Sequence, residues 1–156
     1  MNEKEYSKQI DEAFELRQVG KIEESIILLS NMFESIPSTD IKALGLVGSL
    51  FREANELSKA LYCFQKAVES DPISPRASLG LFHSLWRLER YNEGFDELKR
   101  FLSISESEAH FMLLEDLREG FYGNTLNKSE NPLSLIKIMR DDLNNYLVGE
   151  NIVDKI

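Results

Sequence analysis

Residues 41–72 read IKALGLVGSLFREANELSKALYCFQKAVESDP, and the order of apolar, small and breaking residues in this stretch decides the fold. Leu44, Val47, Gly48 and Phe51 recur at helical intervals, so one face of a first helix is apolar with a small residue at its centre. Leu57, Ala60, Leu61, Phe64, Ala67 and Val68 do the same in a second helix. Between them Asn55 and Ser58 supply turn and cap chemistry. Asp71-Pro72 stops the second helix, because proline has no N–H and disfavours a helical residue before it. The stretch reads as an αα-hairpin in which Gly48 and Ala60 let the helices approach and Phe51 and Phe64 fill the space beside them.

The unit recurs with a period of about 34 residues. Stepping forward, the next begins at Pro75, with Leu81, Leu85, Tyr91, Leu98 and Phe101 at the apolar positions and Phe82 and Gly94 in place of the small pair. Stepping back, it begins at Tyr6, where Ala13, Leu16, Gly20, Ile22, Ser25, Leu29, Met32 and Pro37 fit and Asp40 is one extra residue before the second unit. The units span 6–39, 41–74 and 75–108.

Over this two-thirds of its length the chain resembles the tetratricopeptide repeat (TPR) family. The resemblance implies an all-α fold, an antiparallel helix-hairpin solenoid of three TPR-like repeats over 1–108, closed by a C-terminal helical cap over 109–156. It implies protein binding without naming a partner. The chain departs from the family pattern in two ways: no unit has a tryptophan at the fourth position, and Phe82 stands where a small residue is expected.

The expected cap is a helix pair. Ser105, Ser107 and Glu108 mark a helix start, and Leu113, Leu114, Leu117 and Phe121 give it an apolar stripe. A turn-rich segment over 122–131 follows, and Asn131-Pro132 puts an N-cap before a proline at the first helical position. Leu135, Ile136, Met139, Leu143, Tyr146 and Leu147 form the next apolar face before Gly149 ends it. Beyond it the tail 151–156 is expected to fray, or to fold back through Ile152 and Val153. Solenoids need atypical terminal units to cover their apolar ends; alternatively, this pair belongs to the binding site, since long loops carry function.

Composition narrows the class. The N-terminus has no apolar core after its charged start, and no run approaches the ~18 apolar residues of a membrane span, so a cytoplasmic protein is expected. Cys63 is the only cysteine, which excludes an internal disulfide and a cysteine-based metal cluster; it is expected to be packed. The net charge is −9, and the excess lies entirely in residues 1–40 and 107–156. Such a chain repels nucleic acid and anionic membrane. A protein or peptide partner is expected, with self-association left open.

In the family the first helix of each hairpin lines the concave face through its second, fifth, ninth, twelfth and thirteenth positions. The resemblance carries these onto Ser7, Ile10, Phe14, Arg17 and Gln18; Lys42, Gly45, Ser49, Arg52 and Glu53; and Arg76, Leu79, His83, Trp86 and Arg87. Basic residues outnumber acidic ones, and the set Phe14, Arg17, Lys42, Ser49, Arg52, Arg76, Leu79, His83, Trp86 and Arg87 reads as a site for an acidic segment with an apolar anchor. The plainer reading is a solvated face whose arginines pair with local glutamates, Glu53 and Glu56 standing near Arg52. The two-carboxylate clamp of chaperone-tail adaptors is absent: Ile10 and Phe14 stand at its first pair, Leu46 at the next, and only Arg76, beside Gly80, matches on the third.

No enzyme signature stands out. His83 and His110 are the only histidines and lie a hairpin apart, phosphate-loop and nucleophile-elbow patterns are missing, and adjacent Asp141 and Asp142 diverge by about 100° on a helix. No catalysis and no cofactor are expected. Two functions remain. The first is a small acidic protein that binds and neutralises or chaperones one partner, as immunity proteins and secretion chaperones do, through Glu12, Glu15, Glu23 and Glu24 or Glu115, Asp116 and Glu119. The second is an adaptor in a larger assembly, reading an acidic peptide in the basic groove.

Overall fold

The computed structural model describes residues 1–127 and 130–154, with side chains in 1–127 and 130–148. Among the described residues the regular structure is entirely helical: α1 (Glu3–Gln18), α2 (Ile22–Ser30), a 3-10 turn (Phe33–Ser35), α3 (Ile41–Glu53), α4 (Leu57–Ser70), α5 (Pro75–Arg87), α6 (Tyr91–Ile104), α7 (Glu108–Tyr122) and α8 (Pro132–Asp154). No described helix is long and apolar enough to cross a membrane. Residues group into two compact units, Met1–Tyr91 and Asn92–Ile156, the boundary falling at the first residue of α6.

In the first unit α1 pairs with α2 and α3 with α4, α4 packs on α5, and α3 lies beside both α1 and α5. The close approach expected at Gly48 is present: a Cβ there would stand 3.0 Å from the Phe64 ring and 3.2 Å from Cys63 Cβ. Ala60, Phe51 and Phe64 are buried as expected, and burying a phenylalanine contributes about 1.5–3 kcal/mol. Phe64 also reaches α5, where a Cβ on Gly80 would fall 2.2 Å from its ring. One ring thus occupies the gap left by two glycines.

The links from α1 to α2, from α3 to α4 and from α5 to α6 are one turn used three times. Gly20, Asn55 and Glu89 have φ of 85°, 62° and 61°. Each donates its N–H to a carbonyl three residues back (Arg17, Arg52, Trp86), and the next residue donates to one five back (Leu16, Phe51, Leu85). This is the Schellman arrangement, which satisfies the last carbonyls of a helix through one left-handed residue. Its recurrence at near-constant spacing is a repeat visible in the backbone.

Helix starts follow side-chain chemistry where it exists. Asn2 caps α1 reciprocally with Glu5, Ser74 caps α5 ahead of Pro75, Ser107 caps α7, and Asn131 accepts from Leu133 N–H at 3.0 Å. Asp40, expected as an extra residue between units, caps α3 through Ala43 N–H and accepts the Tyr6 hydroxyl at 2.5 Å, joining α1 to α3. Ser58 does not cap α4: the helix begins after Glu56 with no side-chain cap, and Ser58 lies inside its first turn.

The second unit is built on Phe95, Leu98, Phe101, Leu114, Leu135, Ile136 and Met139, all buried. Leu113, Leu117 and Phe121 of the expected α7 stripe are half-buried, and Tyr146 is 61% exposed. Helix α8 continues through Gly149 to Asp154, where the sequence predicts an end at Gly149. A glycine ends a helix by taking positive φ, whereas here the helix runs on through position 149. The expected fold-back of Ile152 and Val153 concerns side chains outside the described residues, as does the end of the tail.

Candidate functional site

The ten residues of the expected site lie on α1, α3 and α5 of the first unit, and all are exposed or half-buried. Ile10, which the resemblance also assigns to the groove, is 5% exposed and belongs to the core.

Arg17, Arg52 and Arg87, at equivalent or adjacent positions of their hairpins, have three different environments. Arg17 forms an ion pair with Glu53 of the next hairpin, both side chains nearly half exposed, an arrangement contributing at most about 1 kcal/mol. Arg87 is tied down by hydrogen bonds from Nη1 to the Arg52 carbonyl at 3.0 Å and from Nη2 to Asn55 Oδ1 at 3.1 Å. It thereby closes the end of α3, a cation at a helix C-terminus where the dipole favours it. Arg52 lies with its guanidinium 5.7 Å from the centre of the Phe64 ring. Neither glutamate expected to neutralise it does so: Glu53 is held by Arg17, and Glu56 approaches Lys59 at 3.8 Å. Among the described residues Arg52, Lys42 and Arg76 form no ion pair.

Arg76 extends from α5 across Gly45 of α3, its Nε 3.6 Å from where a Cβ would stand. An alanine at position 45 would make ordinary van der Waals contact with that side chain. His83 faces the edge of Phe82 at 5.4 Å, and desolvation of its ring, with the Arg52 charge second, lowers its pKa below the usual value. It is therefore a neutral donor or acceptor at physiological pH. Trp86 is half-buried, stacked on Phe82 at 5.3 Å and met edge-on by Tyr91 at 4.8 Å. Phe82 and Tyr91 were not among the expected site residues. The four-residue spacing of Phe82 and Trp86 on one helix was the available signal.

The acidic alternative is also exposed. Glu12, Glu15, Glu23 and Glu24 stand on α1 and α2 free of ion pairs among the described residues, near Val19, Ile22 and Ile27, which are 70%, 53% and 62% exposed. Asp116 and Glu119 on α7 are exposed and Glu115 is half-buried.

Reactive groups are held in structural roles. Cys63 is fully buried and burial pushes its thiol up to about 12. The Ser107 hydroxyl lies 2.6 Å from His110 Nδ1, the contact nearest to a nucleophile and base. However, Ser107 Oγ also accepts the His110 backbone N–H at 3.0 Å, and the imidazole is stacked on Phe101 at 3.7 Å. Burial, with Arg100 second, lowers its pKa to about 4, which leaves a poor base and makes the pair a helix cap. Among the described residues no three His, Cys, Asp or Glu side chains are grouped to hold a metal ion. No protein-family model matches this sequence, and no curated protein matches it.

Proposed function

We propose that this chain is a non-catalytic protein-interaction module of tetratricopeptide-repeat type, whose α1–α3–α5 face takes an acidic segment of a partner protein bearing one large apolar side chain. The observation that carries this reading is the state of Arg52: its neighbouring glutamates are engaged elsewhere, so its charge is available on α3, the helix that also carries Lys42 and that Arg76 of α5 crosses at Gly45. Phe14, Leu79 and Trp86 on the same helices keep apolar surface exposed for an anchor. Arginine and tryptophan are the side chains that most often dominate interface energies.

The test is binding of fluorescent ten-residue peptides rich in Asp and Glu with a single Leu or Phe. Arg52→Glu with Arg76→Glu should weaken binding at least roughly tenfold with an unchanged melting temperature, because the substitutions place like charges opposite the ligand. Glu53→Gln, which releases Arg17, should tighten it. Unchanged binding in the double variant removes this reading.

A second reading is favoured by the unpaired glutamates and exposed apolar residues of α1 and α2. Here the chain is a dedicated protein that neutralises or chaperones a basic partner through Glu12, Glu15, Glu23 and Glu24. Lysine at positions 23 and 24 would then abolish binding of such a partner, and changes at Arg52 and Arg76 would not.

A further inference from the structure

The second unit holds an open cavity of about 530 Å³ that neither reading above uses. Its volume falls in the range of roughly 300–1,000 Å³ over which proteins bind ligands. Leu102 of α6, Phe111 and Leu114 of α7 and Pro132 at the start of α8 line it, with Glu106 and Glu108. Leu114 is fully buried and forms the floor, whereas Leu102, Phe111 and Pro132 are half-buried and retain apolar surface to cover. We propose that this cavity docks a segment of a partner protein in which a leucine- or phenylalanine-sized side chain stands next to a lysine or arginine.

The choice of occupant follows from which polar groups are free. Ser107, also in the lining, has its hydroxyl committed to His110 through both the backbone N–H and the imidazole. That leaves the carboxylates of Glu106 and Glu108, both exposed and neither in an ion pair among the described residues. A carboxylate in the first turn of a helix complements the macrodipole, which accounts for Glu108 alone. It does not account for Glu106, which precedes the cap, nor for an apolar hollow beside the two. Among the described lining residues none is basic. The complementary chemistry is therefore an apolar side chain for the hollow and a cation for its rim. The stack of His110 on Phe101 fixes the start of α7 against α6, so the wall is formed before a ligand arrives.

The experiment titrates the isotopically labelled full chain with the blocked peptide Arg-Leu-Arg and, as an equal-charge control, Arg-Ser-Arg, following amide resonances. The expected result is saturable shifts centred on Leu102, Ser107 and Phe111 with the leucine peptide, at least about fivefold weaker with the serine peptide. Glu106→Lys with Glu108→Lys should weaken the leucine peptide roughly tenfold while the melting temperature holds. If that pair disturbs folding, Glu106→Gln with Glu108→Gln replaces it, with a smaller loss expected. Equal binding of both peptides would show only attraction to an acidic chain and overturn the proposal, as would shifts centred on the first unit or unchanged binding in the charge variants.

Discussion

Gly80 shows how much a single hydrogen can matter. Replacing a helical glycine by alanine ordinarily stabilises by about 0.5–1 kcal/mol, because the unfolded chain loses freedom. At Gly80 the added Cβ would fall 2.2 Å from the Phe64 ring, far inside contact distance, so Gly80→Ala should destabilise by roughly 1–3 kcal/mol. Gly120 on α7 has nothing within 4 Å of a Cβ, so Gly120→Ala should stabilise by about 0.5–1 kcal/mol. Urea denaturation of the two variants checks both signs. From sequence the two glycines look alike, since what separates them is a ring sixteen residues away along the chain. The arginines teach the same lesson: spacing places Arg17, Arg52 and Arg87 on one set of helices, but it cannot give Arg17 its glutamate or Arg87 its carbonyl, because those partners lie on another hairpin.

At the scale of helices the sequence was legible wherever periodicity and cap chemistry were explicit. The α3–α4 hairpin, the Ser107 and Asn131 starts and the stop at Asp71-Pro72 all stand as expected. It failed where a residue type admits two conformations, as at Gly149, and it gave no signal where a turn uses a residue with no preference for it, as at Glu89. Helix α7 carries a pH response. His110 has an ordinary pKa near 6.5 when unfolded and about 4 when folded, so between these values the unfolded chain binds the extra proton. Stability should be full above about pH 6.5 and fall by about 2–3 kcal/mol as pH drops towards 4. Denaturation of the parent and of His110→Gln across that range isolates the contribution, which the variant should lack; an imidazole resonance titrating near 6.5 in the folded protein would contradict it.

For the whole molecule the governing quantity is an uneven charge. A net −9 repels an acidic ligand at long range, while Lys42, Arg52 and Arg76 attract it at contact. The Debye length shrinks from about 30 Å at 0.01 M salt to about 8 Å at 0.15 M, so added salt first screens the distant repulsion and only later the contacts. Affinity of the acidic peptides should therefore peak at intermediate salt. A monotonic fall from the lowest salt upward would mean that the local cations dominate at every distance.

The ring that fills the place of two missing side chains also has a motion of its own. Phenylalanine rings in most cores turn over about the Cβ–Cγ axis fast enough that their paired edges give one averaged signal. Phe64 is held by the backbones of Gly48 on α3 and Gly80 on α5, which yield less readily than flexible side chains. To turn over it must wait for both helices to draw back, an opening on the microsecond-to-millisecond scale or slower. Its two edges should give separate or broadened NMR lines at room temperature that merge on warming, and the merging rate would time the breathing of the three-helix junction.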